Sequence, residues 1–195
     1  FINTGQYDTD RDFVKTISPS MDILVSSNLE RFIYQISDGN EQLIKDKMNN
    51  LKENKKFEIE KELVDAIKEI MIADYVTEEE TLKTIKACFE KTGYLLDPHT
   101  AVAYSVSENL GENILIVSTA SPYKFGESIL KGLDINTDGV EVEGINFKIS
   151  QLCKKSIPKS LVNISEKEIK HHRICGINEI EKTIKEILKV GSIND

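Results

Sequence analysis

The sequence predicts a helix-rich α/β fold, and two observations carry this prediction. Most of the chain shows apolar residues at helical spacing between capping and stop signals; one such stripe comprises Leu63, Val64, Ile67, Ile70 and Met71. In addition, residues 114–117 (Ile-Leu-Ile-Val) form a continuous apolar run. A run of this kind is typical of a strand that is covered on both faces, as in a parallel sheet. We therefore expect helices packed around a small sheet.

The amino-terminal part predicts short elements. In order, the pattern predicts a loop over 1–20, a strand at 23–25, a helix opened by a capping box at 27–30 and closed at 38–39, a helix over 40–54 and a strand at 57–59. The helix carrying the 63–71 stripe follows. Thr77 and Glu80 then have the spacing of a second capping box, and Gly93 marks the end of the helix that they open.

The central stretch, residues 95–125, predicts a buried helix followed by the apolar strand. Asp97 can cap this helix, Pro98 suits its first position, and Gly111 closes it. Ser118, Thr119 and Ser121 follow the strand, at the edge where open α/β sheets place their ligands. These hydroxyls and the nearby Lys124 predict a site for an anionic or heterocyclic ligand.

The carboxyl-terminal part is less regular. A short helix is predicted over 125–130, and a loose hairpin or a surface loop over 132–150, because glycine, asparagine and aspartate interrupt the apolar residues there. Capping signals at 165–168 and 178–181 open two further helices. The last helix should turn one face inward, composed of Ile180, Ile184, Ile187 and Leu188.

Two motifs of the central stretch, LLDPHTAVAY and STASPYKF, closely resemble the paired signature of the carboxyl-terminal half of threonine synthase. The segments SPSMDILVSSNLERFIY (18–34) and FINTGQYD (1–8) are similar to upstream parts of the same family, in the same order. The resemblance extends from residue 1 to about residue 131. It implies a helix-rich, three-layer fragment of a fold type II large domain with a small, mostly parallel sheet. Residues 1–131 would belong to that domain, and 132–195 would be an extension packed on it.

The family uses pyridoxal phosphate (PLP) and converts O-phospho-L-homoserine and water into L-threonine and phosphate. The resemblance implies that the family's Schiff-base lysine and glycine-rich phosphate loop lie upstream of this chain, so we expect an inactive fragment that works with a missing amino-terminal half. Two alternatives stay open. One is a non-catalytic interaction or regulatory module derived from the fold. The other is a different fold type II lyase of the threonine dehydratase or cysteine synthase kind.

The resemblance also assigns candidate site residues. Thr119 matches the hydroxyl that meets the pyridine nitrogen of PLP, and Lys124 is suited to the phosphate of the substrate. The other residues expected at the substrate are Ser18, Asp22, Asn28, Arg31, Asp97 and His99. Each also has a plain structural interpretation, as a helix cap, a solvated helix residue or a residue satisfying the backbone.

Composition narrows the class of protein. A net charge of −8 over 195 residues disfavours nucleic acids and anionic membranes as partners. Three cysteines, an odd number, favour a reducing cytoplasm.

We expect no metal, because His171, His172 and Cys175 have no further ligand at a suitable spacing. An uncovered apolar strand at 114–117 would favour self-association.

Overall fold

The computed structural model describes residues 1–111 and 113–189. The chain is helix-rich, as predicted, and divides into two compact units, Phe1–Ile157 and Pro158–Asp195. The first unit contains α1 (Ser27–Ile36), α2 (Glu41–Asn54), α3 (Lys61–Ile70), α4 (Glu78–Thr92), α5 (Pro98–Ser107), α6 (Gly126–Gly132) and α7 (Val142–Cys153), and the second contains α8 (Ile180–Leu188). The predicted division at residue 131 stays a prediction.

The sheet is small, as predicted, but its orientation is not the expected one. In the described part of the chain it consists of β1 (Gln6–Asp8) and β2 (Lys56–Glu58), which pair antiparallel with Tyr7 opposite Phe57. The rings of these two residues stack at a centroid distance of 5.4 Å. The prediction of a mostly parallel sheet is therefore wrong for these residues. Strand β1 lies within the predicted loop 1–20, where Tyr7 stands alone between Gln6 and Asp8 and gives no apolar signal.

Two predicted strands, at 23–25 and at 114–117, are not formed. Residues 113–119 contain no helix or strand, and Leu115 is 88% exposed. A strand is defined by hydrogen bonds to a neighbouring backbone. An apolar run indicates only that its side chains favour burial. No backbone within the described residues pairs with this run.

The first core lies between helices α1, α2, α3 and strand β2. Its most buried side chains are Ile33 and Ile67, both fully buried, together with Phe57 at 4% exposure. Gly5, with φ +76°, passes directly over this core, and a Cβ atom there would lie 2.6 Å from Val64 Cγ2. The turn before β1 therefore requires glycine, both for its backbone conformation and for the space that a side chain would need.

The second core lies between α4, α5, α6 and α7. Its fully buried residues are Ile85, Ala101, Ile129, Leu130 and Ile149. Helix α7 corrects the prediction of a hairpin or loop over 132–150. Ile145 and Ile149 lie four residues apart and share the face that packs into this core. Packing of that face outweighs the low helix propensity of Gly144 and Asn146.

The two predicted capping boxes differ in outcome. At α4 the prediction is confirmed: Thr77 Oγ1 accepts from the Glu80 N–H at 3.2 Å, and Glu80 Oε2 accepts from the Thr77 N–H at 2.8 Å. Gly93 closes this helix in the left-handed conformation. At α1 the prediction is wrong, because Ser27 is already helical and its cap, Ser26, makes no side-chain capping bond.

In the second unit, the predicted helix at 165–168 is only a 3-10 turn over Ile164–Glu166. Helix α8 is confirmed, and Arg173 pairs with Glu186 on it. Its apolar face was expected to face inward, but it is exposed, with Ile184 at 50% and Leu188 at 64%. A periodic pattern identifies the face of a helix but not what covers it.

Candidate functional site

The amino terminus of α5 is the most polar buried place in the first unit. Asp97 is 1% exposed and caps the helix, accepting at Oδ1 from the backbone N–H of His99 at 2.9 Å and of Thr100 at 3.4 Å. Its Oδ2 accepts from the hydroxyl of Thr100. Three donors from the first turn of the helix thus satisfy the buried carboxylate. The cap predicted from the sequence is confirmed, and its carboxylate has an unusually complete set of partners.

His99 lies beside this carboxylate and is 6% exposed. Its Nδ1 lies 3.2 Å from Asp97 Oδ1, and its Nε2 accepts from the backbone N–H of Ser20 at 3.1 Å. A carboxylate can only accept and a backbone N–H can only donate, so both contacts require the same neutral form of the ring, with its hydrogen on Nδ1. The imidazole is therefore held in one tautomer.

The segment that contains Ser20 has its own network. Asp22 accepts from the Thr16 N–H and from the Thr16 hydroxyl, each at 2.7 Å, and the Thr16 and Ser18 hydroxyls lie 3.0 Å apart. The hydrogen bonds from the Thr16 backbone and side chain hold the pKa of Asp22 below its usual value. Asp22 is therefore an anion at neutral pH, beside the buried Ser18.

The hydroxyl-rich loop after residue 117 meets this network from the other side. The Oγ atoms of Thr100 and Ser118 lie 3.1 Å apart, which connects the loop to the Asp97 cap. Thr119, the next residue, is exposed. A threonine hydroxyl is a neutral group that can donate to an unprotonated ring nitrogen, so this position fits the pyridine end of PLP. The fit concerns that end alone, because the resemblance assigns the other PLP contacts to residues upstream.

The 3-10 turn Pro122–Phe125 contains Lys124 and, next to it, Phe125, which contacts the cluster. The ring of Phe125 lies 4.7 Å from the ring of His99, measured between centroids, and the Lys124 Nζ lies 5.3 Å from the Phe125 centroid. Lys124 is exposed, so its ammonium group is free to meet an anionic ligand.

The structure thus connects four of the eight residues that the sequence singled out, Ser18, Asp22, Asp97 and His99, in one hydrogen-bonded network. Thr119 and Lys124 are exposed and adjoin residues that contact this network, Ser118 and Phe125. The remaining two, Asn28 and Arg31, lie on α1, where the Arg31 guanidinium donates to the Asn28 side chain and both are exposed. Thr16, Thr100 and Phe125 belong to the cluster but were not singled out. Thr100 and Phe125 lie within the two recognised motifs, which was the available signal, whereas nothing in the sequence marked Thr16.

An apolar groove borders the cluster, with a cavity volume of about 1100 Å³. Thr16, Ser18 and Asp22 line one part of it, while the run 114–117 and the α5 side chains Val102 and Val106 line another. The apolar run that the sequence assigned to a covered strand therefore forms one wall of this groove.

Other kinds of site are not formed by the described residues. No three or more His, Cys, Asp or Glu side chains of 1–111 and 113–189 come together as a possible metal site. Within these ranges no helix has the length and apolar character needed to cross a membrane. The cysteines are unpaired: Cys88 is buried, Cys153 is half-buried and Cys175 is exposed.

Comparison with known proteins gives a consistent picture. No family model matches the chain. Threonine synthase-like 1 from Pongo abelii is 41% identical over 139 residues, which covers 69% of this chain and 19% of that protein. The crystal structure of yeast threonine synthase superimposes with a TM-score of 0.75 at 27% identity, over 97% of this chain and 39% of the yeast chain. The structure of PLP-bound threonine synthase from Brucella melitensis gives 0.65 at 28% identity, over 80% of this chain and 33% of that chain.

The chain therefore spans between about a fifth and two fifths of the length of these relatives. Both the sequence match and the superposition point to the same enzymes, and the paired motifs around Asp97 and Thr119 lie within the cluster described above. The chain belongs to the threonine synthase family, of which it represents a carboxyl-terminal part.

Proposed function

We propose that this chain is part of a longer PLP-dependent threonine synthase, a lyase of threonine biosynthesis that converts O-phospho-L-homoserine and water into L-threonine and phosphate. The observation that carries the proposal is the convergence of two separate family motifs, around Asp97 and Thr119, on one polar cluster beside a groove. PLP would supply the electron sink for this chemistry. The protein part described here supplies contacts to the cofactor ring and to the substrate.

Thr119 is proposed to donate a hydrogen bond to the pyridine nitrogen. A neutral hydroxyl leaves that nitrogen unprotonated, whereas a carboxylate at the same place would hold it protonated. The exposed position of Thr119 beside the Thr100–Ser118 contact leaves its hydroxyl accessible to a ligand, which supports this role.

Lys124 is proposed to bind the phosphate of the substrate. Its ammonium group is exposed, and a lysine is a mobile point charge that suits a phosphate that must later leave. Ser18 and Asp22 lie on the groove and are proposed to face the amino-acid end of the substrate. Asn28 and Arg31 remain candidates at the substrate cleft. Their exposed pair on α1 would reach the substrate only from outside the cluster.

The missing parts of the site are proposed to come from an amino-terminal portion of the same enzyme. The relatives are more than twice as long as this chain, and the groove beside the run 114–117 offers exposed apolar surface for packing. We expect the chain alone to be inactive and to self-associate through this surface. The unpaired cysteines support a location in the cytoplasm.

Activity of the longer protein tests the proposal. The longer protein should release phosphate from O-phospho-L-homoserine in the presence of PLP, and the 195-residue chain should release none above background. Phosphate release by the 195-residue chain, or none by the longer protein, would contradict the proposal.

A matched pair of variants tests the role of Thr119. Thr119→Val removes the hydroxyl at constant shape and should lower kcat roughly tenfold to hundredfold, the range expected when a ligand atom loses its hydrogen bond. Thr119→Ser keeps the hydroxyl and should stay close to the wild type. Equal activity of the valine and serine variants would remove Thr119 from the cofactor site.

A further inference from the structure

One hydrogen bond joins the two halves of the candidate site. The backbone N–H of Ser20 donates to His99 Nε2 at 3.1 Å, between residues 79 positions apart in the sequence. Ser20 lies in the 3-10 turn Pro19–Met21, between Ser18 and Asp22. The bond therefore attaches the segment that carries both of these side chains to the amino terminus of α5.

His99 has no free ring atom for chemistry. Nδ1 lies 3.2 Å from Asp97 Oδ1 and Nε2 accepts from the Ser20 N–H, while the Phe125 ring lies 4.7 Å away between centroids, tilted by 53°. With both nitrogens engaged and only 6% of the residue exposed, the imidazole cannot take or give a proton to a ligand without breaking one of these bonds. This arrangement suits a structural connector and does not suit an acid or a base.

Asp97 determines which tautomer is present. Its Oδ1 is an obligate acceptor fixed by the helix cap, so the hydrogen of the neutral ring must lie on Nδ1 and the lone pair on Nε2. Only this tautomer can accept from the Ser20 N–H. The helix cap, the ring and the Ser20 backbone thus form one chain of hydrogen bonds in which each member fixes the next.

We propose that His99 is a positioning residue that clamps residues 16–22 to helix α5 as a neutral, Nδ1-protonated imidazole oriented by Asp97. It acts on the substrate through Ser18 and Asp22, whose placement depends on the clamp, and does not touch the substrate. The existence of the clamp does not depend on the proposed function. Its effect on turnover does rest on the proposed function.

Amide hydrogen exchange of Ser20 tests the clamp on the 195-residue chain without any assay of activity. His99→Gln places an acceptor where Nε2 lies and should keep the amide protected. His99→Asn matches the position of Nδ1 but cannot reach Ser20, so the amide should exchange roughly three- to tenfold faster, the range expected for the loss of one hydrogen bond. Unchanged exchange in His99→Asn, with protected Ile85 and Ile129 amides showing an intact second core, would overturn the proposal.

The wild-type protein offers a second readout that no folding defect can disturb. Nitrogen-15 NMR of the imidazole rings should show His99 as the neutral Nδ1–H tautomer, while the exposed His171 and His172 serve as internal references. A resonance pattern of an Nε2–H tautomer or of a charged ring at neutral pH would overturn the proposal.

Kinetics of the longer enzyme separate positioning from acid–base catalysis. If His99 positions the 16–22 segment, His99→Gln should keep most of kcat and the wild-type shape of the pH–rate profile, and His99→Asn should lose kcat. If His99 were a general base, both variants would lose kcat to the same extent, and the pH–rate profile would no longer show the ionisation of that base. A wild-type enzyme without activity would refute the proposed function and leave the exchange and NMR results to decide the clamp.

Discussion

Phe125 lies against His99, with 4.7 Å between the ring centroids, and this contact connects the turn after the hydroxyl loop to the amino terminus of α5. The two residues come from the two motifs that the sequence singled out separately. Their contact joins the two motifs in space: one provides a buried polar cap, and the other provides an aromatic ring beside it.

Replacement of Phe125 should therefore loosen the site. Phe125→Leu removes the ring contact with His99 and should lower the free energy of unfolding by about 1 kcal/mol, because aromatic pairs contribute about 0.5–1.5 kcal/mol beyond the area they bury. Urea unfolding of the 195-residue chain measures the change. Phe147→Leu, at a residue 57% exposed on α7, is the matched control and should cost clearly less. Equal costs for the two variants would argue against a special contact.

The capping box of α4 should contribute measurably to stability. Thr77→Ala removes the acceptor for the Glu80 N–H and should cost about 1 kcal/mol in urea unfolding. Ser26→Ala is the control, because Ser26 occupies the same position before α1 without making a side-chain bond, and its replacement should be nearly neutral. The prediction fails if Ser26→Ala costs as much as Thr77→Ala.

Asp22 should make stability depend on pH on the acid side. Hydrogen bonds from Thr16 lower the pKa of Asp22 in the folded chain, so the folded state favours the carboxylate. This stabilisation is fully present above the unfolded pKa of about 3.9 and is lost as the pH falls through the lower folded pKa. The stability difference between the wild type and Asp22→Asn should thus shrink as the pH is lowered from about 5 toward 2. Urea unfolding across this range measures the difference, and a difference that stays constant down to about pH 2 would contradict the prediction.

The apolar run 114–117 should drive self-association of the 195-residue chain. Leu115 is 88% exposed in the wall of the groove. Leu115→Lys places a charge there and should lower the average mass measured by light scattering at high concentration. Ile174→Lys, at a residue 95% exposed in the second compact unit, should change that mass less. A wild-type chain that stays monomeric at high concentration would refute the prediction.

Much of the helical structure could be predicted from the sequence because its signals are local. The stripe of α3, the caps Thr77 and Asp97 and the stop at Gly93 depend on neighbours within four residues. The wrong predictions occur where contacts with residues distant in the sequence determine the secondary structure. The run 114–117 has the composition of a strand, but no backbone in the described part of the chain pairs with it. The glycine, asparagine and aspartate residues of 132–150 predict a hairpin or a surface loop, whereas packing against the second core stabilises α7 there.

In the candidate site, too, local features could be predicted from the sequence, whereas contacts between distant residues could not. The sequence by itself determined the family motifs, the cap at Asp97 and the residue types that suit a PLP enzyme, because these depend on residue identity and short spacing. Only the tertiary structure decided that His99 meets the Ser20 backbone, that Thr16 joins the cluster and that Asn28 and Arg31 lie on a separate helix face. A hydrogen bond between residues 79 positions apart depends on how the chain packs, and residue order alone does not specify that distance.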